Sequence, residues 1–248
     1  MARYFIDISY NGSNYHGWQV QANARTVQGE FQECLSKVLR VPTEIMGSGR
    51  TDTGVHAKQQ IAHFESDEPI DTKDLAYKLN SILPDTAAVQ EIRGVKADAH
   101  ARFDATERAY QYFINKKKSP FYSGLSYYFS QPLDLNLMNE AAKELIGKQD
   151  FESFSKVKTE VNNFICTVTR AEWIIENDQL VFHVRANRFL RGMVRALVGT
   201  LLDVGQQKIT VEDFVNIIKA KDRKVAGRAV PPHGLFLTEV KYPESIYL

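Results

Sequence analysis

The sequence predicts an α+β fold in which helices pack on a largely antiparallel sheet, and three observations predict it. Apolar residues switch repeatedly between the period of two that marks a half-buried strand and the period of 3.6 that marks an amphipathic helix. Short turn signals, Asn177-Asp178 above all, join neighbouring strand-like runs in the manner of hairpins. The composition, 44% hydrophobic and 25% charged over 248 residues, is that of an ordinary globular protein, which disfavours disordered, collagen-like and coiled-coil classes.

Residues 3–10 place Tyr4, Ile6, Ile8 and Tyr10 on one face, a half-buried strand ending in the loop Asn11-Gly12-Ser13-Asn14. From Thr26, a helix-capping residue type, the apolar positions become Val27, Phe31, Cys34, Leu35 and Val38, a helical stripe stopped before Pro42. Residues 58–65 read as strand, Thr72 to about Ile82 as a helix stopped by Pro84, and 87–95 as strand. A second alternation follows. Residues 110–114 read as strand, Leu135 to Ile146 as a helix after Asp134, and 166–175 with 179–186 as a hairpin. Residues 188–204 and 211–219 read as helices and 235–240 as a closing strand, about eight strands and five helices in all. At about 100–200 residues per domain the length allows one large domain or two small ones. The expected division falls near 96–106, separating an N-terminal half, 1–103, from a C-terminal half, 104–248.

Several functional classes are disfavoured at once. No run approaches 18 consecutive apolar residues, and the start alternates polar with apolar, so neither a membrane span nor an exported chain is expected. Cys34 and Cys166 stand far apart and form no CxxC pair, which points away from a disulfide framework or zinc knuckle and toward a reducing cytoplasm. The overall charge of +1 is uninformative, but its distribution is not. Residues 1–104 carry 11 basic and 14 acidic side chains, whereas residues 105–248 carry 20 and 16. The basic residues cluster as Arg102, Arg108 and Lys116 to Lys118; as Arg185, Arg188, Arg191 and Arg195; and as Lys219, Lys221, Arg223, Lys224 and Arg228. Such clusters are usually solvated faces and a phosphate-tracking groove is the minority reading, which three clusters raise.

The segment best suited to chemistry is Gly47-Ser48-Gly49-Arg50-Thr51-Asp52-Thr53-Gly54-Val55-His56-Ala57, three glycines enclosing Arg50 and Asp52 between strands. Glycine loops let backbone approach a ligand. The spacing fits neither GxGxxG nor a P-loop, which also lacks its Gly-Lys-Ser/Thr end. Asp52 and His56 have no further ligand at metal-binding spacing, and no Gly-x-Ser-x-Gly elbow or base-paired cysteine offers an acyl-transfer nucleophile. Asp52 is the remaining candidate. An aspartate in Thr-Asp-Thr-Gly commonly satisfies its own turn; a catalytic carboxylate needs a cation or N–H donors to stay ionised when desolvated, and Arg50 and Arg195 are both candidates. Arg195 falls in 188–204, read as a helix whose core stripe is Phe189, Met193, Leu197 and Val198 and whose other faces carry Arg188 and Arg191.

The ordered motifs resemble the tRNA pseudouridine synthases of the TruA type, and the resemblance spans essentially the whole chain. They are Tyr10-Asn11-Gly12 with His16-Gly17-Trp18-Gln19 and Thr26-Val27-Gln28-Gly29; Gly49-Arg50-Thr51-Asp52-Thr53-Gly54-Val55-His56-Ala57; Ala101-Arg102-Phe103-Asp104-Ala105; Arg108-Ala109-Tyr110-Gln111-Tyr112; Phe189-Leu190 with Met193-Val194-Arg195; and Pro231-Pro232-His233-Gly234-Leu235. Thr53 and Arg191-Gly192 depart from the usual pattern without touching the proposed chemistry. The resemblance implies a pseudouridine synthase fold, two α/β halves sharing a largely antiparallel mixed sheet with a central cleft. It further implies a homodimeric isomerase that needs no metal or organic cofactor and converts uridine to pseudouridine at positions 38, 39 and 40 of the tRNA anticodon stem-loop. Carried onto this sequence, it makes Asp52 the essential carboxylate and Tyr110 the aromatic that stacks on the extruded uracil. It pairs Arg195 with Asp52, and gives Arg50 the space vacated by the target nucleotide or a phosphate. His16, His56 and His233 are expected to be structural. The rival classes are a catalytically silent RNA-binding protein and a cofactor-using nucleotide enzyme.

Overall fold

The computed structural model describes residues 1–157 and 161–248 and divides by packing into two compact units, Met1–Glu107 with Phe236–Leu248, and Arg108–Leu235. The class is α+β, as the alternating periods predict.

In the first unit, β1 (Ala2–Tyr10) is followed by α1 (Val27–Leu39), the short β2 (Met46–Gly47), β3 (His56–Ser66), α2 (Thr72–Ile82) and β4 (Ala87–Val95). β1 pairs antiparallel with both β3 and β4, and β2 pairs antiparallel with β3. Both helices start where their caps dictate: the Thr26 hydroxyl accepts from the Gly29 amide, and the Asp71 carboxylate accepts from the Lys73 and Asp74 amides. The period-two face of β1 behaves as read, with Ile6 and Ile8 fully buried in a core shared with Phe31, Leu35 and Leu79.

The opposite face of β1 is less open than alternation predicts. Phe5 is also buried, because Tyr242 and Tyr247 from the end of the chain lay their rings against it at 4.9 and 6.2 Å. Alternation reports only that one face is apolar; it carries no information on a distant segment that folds over the other.

The second unit contains β5 (Glu107–Asn115), the short β6 (Tyr127–Tyr128), α3 (Leu135–Lys143), β7 (Gly147–Asp150), β8 (Ile165–Glu176), β9 (Gln179–Ala186), α4 (Met193–Gly205) and α5 (Val211–Ala220). β5, β9, β8 and β7 pair antiparallel in that spatial order, and β6 runs parallel to β5. The β8–β9 turn is the expected hairpin: Asn177 and Asp178 take φ of 47° and 64°, the left-handed pair that a two-residue hairpin requires. The helix read over 135–146 stops at Lys143, and the next residues turn through Gly147 at φ +104° into a strand the sequence reading lacks. The last strand, β10 (Leu235–Lys241), pairs parallel with β3 of the first unit through Phe236 and Leu237.

The region read as a helix over 188–204 is corrected. α4 begins only at Met193, after Gly192 takes φ +72° at the N-cap. Arg188 and Phe189 therefore lie in the irregular segment before α4, and Arg191 in the turn that precedes it, none of them on a helix face. Nearly all of α4 is buried, with Arg195 and Asp203 the residues that are not. A helix this enclosed shows weak amphipathic contrast, so its true start was hidden from periodicity.

Candidate active site

The loop 47–56 of the first unit is built by close backbone approach. A Cβ at Gly12 would sit 2.0 Å from the Val55 carbonyl oxygen, one at Gly17 2.6 Å from that of Thr51, and one at Gly47 2.6 Å from the Trp18 ring. Gly17 moreover has φ +88°, a conformation that glycine takes without strain. The space these glycines leave is used: the Trp18 amide donates to the Thr51 carbonyl at 3.1 Å, and the buried Thr51 hydroxyl is hydrogen-bonded to the Tyr10 phenol at 2.8 Å. The Ser48 amide donates to Ile61 at 2.7 Å, and the buried Gln60 carboxamide donates to the Gly49 carbonyl at 2.8 Å. His56 is buried, stacks on Phe236 with ring centroids 4.4 Å apart, and accepts the Gly12 amide at Nδ1 at 3.0 Å. That bond leaves Nε2 as the protonated nitrogen of the neutral ring and gives His56 the work of holding the loop.

Asp52 follows the buried Thr51 and is itself half-buried; its carbonyl accepts the Val55 amide at 3.1 Å. Arg50, on the same loop, is exposed. The buried residues on either side, Thr51 and Val55, hold the backbone that carries Asp52.

Tyr110 and Arg195 belong to the second unit. Tyr110, in β5 opposite Val184 of β9, is half-buried and meets Phe189 edge-on, with centroids 5.1 Å apart and planes at 87°. Arg195, on the first turn of α4, donates from Nε to the Val230 carbonyl at 2.7 Å, while the Val230 amide donates to the Arg195 carbonyl at 3.1 Å. α4 comes this near to 228–230 because Gly199 has no side chain: a Cβ there would stand 1.9 Å from the Arg228 carbonyl oxygen. Tyr112 continues the frame by donating its phenol to Pro231 at 2.8 Å. Burial pushes that phenol far up, with the Tyr127 charge adding to the rise and Arg195 opposing it, so Tyr112 remains a donor. Burial, and then the charge of Arg195, hold the His233 imidazole below the usual range, so it is neutral near pH 7.

The structure thus brings Asp52 and Arg50 together on one loop and gives Tyr110 and Arg195 their own packed seats in the second unit. The carbonyls of Val230 and Pro231 that steady this second group carried no sequence signal beyond their place in the Pro231-Pro232-His233-Gly234 motif. Among the described residues no group of three or more His, Cys, Asp or Glu is arranged to hold a metal ion, and no helix is long and apolar enough to cross a membrane.

A family model described as tRNA pseudouridine synthase matches residues 7–104 and 141–243, spanning the loop of Asp52 and the turn that seats Arg195. Curated proteins called tRNA pseudouridine synthase A are similar along their whole length. The protein from Parabacteroides distasonis is 51% identical over 100% of this chain and 98% of its own, and that from Bacteroides thetaiotaomicron 49% identical over 100% and 93%. The more distant Bacillus subtilis protein is 41% identical over 95% and 97%. With a family match over most of its length and full-length relatives at this identity, the chain belongs to the tRNA pseudouridine synthase family and is an isomerase.

Proposed function

We propose that the protein converts uridine to pseudouridine at positions 38, 39 and 40 of the tRNA anticodon stem-loop, with Asp52 as the essential carboxylate acting on a flipped-out uridine. The reaction breaks the bond from uracil N1 to ribose C1′, turns the base in place and joins C5 to C1′. The hydrogen leaves C5 and N1 gains one, so nothing is added or lost. Glycoside hydrolysis uses two carboxyl groups because an alkoxide leaves poorly and water must be activated. Uracil leaves as a stabilised anion and water must be excluded, so one carboxylate suffices and no metal or organic cofactor is needed.

The single observation that carries this reading is the pinned loop, which holds one half-buried aspartate between the buried Thr51 and Val55. Around it the reading assigns Tyr110 to stack on the extruded base, worth about 1–3 kcal/mol. The reading assigns Arg195 as the cationic partner of Asp52, and gives Arg50 the place of the displaced nucleotide or a phosphate. Extruding the base costs a few kcal/mol, recovered by stacking and phosphate contacts from the basic second half. The protein works as a homodimer in the cytoplasm, with tRNA as its macromolecular partner.

The test is Asp52→Ala assayed on transcribed tRNA with the modified sites mapped. Turnover falls below detection at positions 38 to 40 while tRNA affinity stays within about threefold, since a nucleophile adds little to phosphate-dominated binding. Retained turnover overturns the assignment, and wild-type protein that binds tRNA without modifying it favours the catalytically silent rival.

A further inference from the structure

Between Asn115, the last residue of β5, and Asp134, the N-cap of α3, the chain carries Lys116, Lys117 and Lys118, five aromatic residues and no carboxylate. Phe121 at its tip is 88% exposed, Tyr128 50% and Tyr122 39%. This segment is not loose. Pro120–Tyr122 forms a 3-10 turn closed by the Ser123 amide on the Pro120 carbonyl at 3.3 Å, and the Leu125 and Ser126 amides donate to the Tyr122 carbonyl at 3.0 and 3.1 Å. The Phe129 amide donates to Asn115 at 2.9 Å, and Lys116 is used as a brace, its ammonium 5.5 Å from the centre of the Phe129 ring and bonded to the Gln131 carbonyl. Lys117 and Lys118 are exposed. The turn thus presents three exposed aromatic rings, at 121, 122 and 128, on the same short segment as two exposed lysines.

Its position bears on the site. Tyr127 meets His233 edge-on at 6.4 Å, and His233 follows the Val230 and Pro231 carbonyls that receive Arg195 and Tyr112. The surface is therefore rigidly continuous with the seat of Arg195 within the second unit.

We propose that this turn docks the RNA substrate outside the reacting centre: Phe121 stacks on an unpaired base, and Lys117 and Lys118 neutralise the adjoining phosphates. The proposal rests on RNA being the substrate. Charge decides the occupant. A stretch with three lysines and no acid attracts a polyanion, lysine is a point charge suited to phosphate, and an aromatic face accepts any base. A second copy docking isologously would bring like charges together. One exposed phenylalanine without an amphipathic helix inserts too little apolar surface to hold a membrane.

The experiment uses the full chain and a tRNA transcript. Phe121→Ala raises KM about 5- to 150-fold with kcat within about twofold, and Phe121→Trp restores KM. Lys117→Gln with Lys118→Gln lowers the slope of log binding constant against log salt by about 1.4–1.8. The melting temperature of each variant matches wild type, because all three side chains are exposed. Unchanged KM and tRNA affinity in Phe121→Ala overturn the proposal. So does loss of binding to phosphatidylserine vesicles, or a change of oligomeric state, that accounts for the effect. If wild-type protein fails to modify tRNA, the catalytic reading falls, and fluorescence anisotropy of labelled tRNA with Phe121→Ala still decides whether this surface docks RNA.

Discussion

Both units use close backbone approach at glycine to place their candidate side chains, and they differ in what holds those side chains beyond it. In the first, the loop of Asp52 is pinned by main-chain contacts: glycines at 12, 17 and 47 admit the Val55 carbonyl, the Thr51 carbonyl and the Trp18 ring at distances no other residue permits. In the second, Arg195 is held by its own side chain on the Val230 carbonyl, and Tyr110 by an edge-on ring. Main-chain contacts fix where the backbone of Asp52 runs, whereas the Arg195 guanidinium is itself tied by a hydrogen bond. Charge differs as well, with the basic excess confined to the second half of the sequence.

That contrast can be broken first at Gly12. Gly12→Ala places a Cβ 2.0 Å from the Val55 carbonyl, a backbone atom that cannot step aside. We expect a loss of about 3 kcal/mol or more in urea unfolding together with turnover, the scale of overpacking in a tight core. A variant with wild-type stability and activity would show that the loop tolerates displacement.

Gly199→Ala tests the same device in the second unit, where the Cβ meets the Arg228 carbonyl at 1.9 Å. Alanine regains about 1 kcal/mol of helix propensity, so a smaller net loss, about 2 kcal/mol, is expected. Stability unchanged from wild type would mean that α4 and the 228–230 segment part without penalty, and the seat of Arg195 with them.

Replacing Arg188 and Arg191 together by Gln sharpens the electrostatic half of the comparison. Both precede α4, and we expect the salt dependence of tRNA binding to flatten by about 1.4–1.8 in slope, with a thermal melt run alongside to check that the fold is kept. An unchanged slope would move the phosphate contacts elsewhere.

The smallest effect belongs to Asp7 of β1, which lines a polar groove of about 670 Å³ with Lys58, Gln59, Arg93, Tyr242 and Tyr247. One carboxylate oxygen accepts from Gln59 at 2.7 Å and the other is buried without a partner. Burial raises its pKa to about 6, against the lowering bond from Gln59 and with a further rise from Glu91. The native state therefore holds a proton that the unfolded chain releases near pH 4. The contribution of Asp7 to stability is fully present below that value and is lost as pH rises through about 6. Asp7→Asn should match wild type near pH 4 and exceed it by about 1 kcal/mol at pH 7, measured as the difference between thermal unfolding curves. A pH-independent difference would refute the sign.

Local interactions made much of this molecule legible in the sequence. The caps Thr26 and Asp134, the Asn177-Asp178 turn and the alternation of β1 act within a few residues, and they appear where the pattern places them. The glycine-rich loop was legible only in part: of Gly47 and Gly49, Gly47 is closely approached, by the Trp18 ring, while a Cβ at Gly49 would meet open space, and the tight contacts at Gly12 and Gly17 come from outside the loop. The start of α4 was not legible, because a buried helix lacks the polar contrast that marks an end, and a single left-handed glycine decides it.

What the sequence determined by itself is chemical: which side chains are available, that one glycine-framed aspartate stands apart, and that the later half is basic. Only the tertiary structure decided what fills the glycines, that the Val230 carbonyl takes Arg195, that the chain's end covers Phe5, and that residues 236–241 return to pair with β3 of the first unit. Those facts join residues tens to hundreds of positions apart. Their free energy comes from surfaces that meet only after the elements have formed, and no local pattern encodes the meeting.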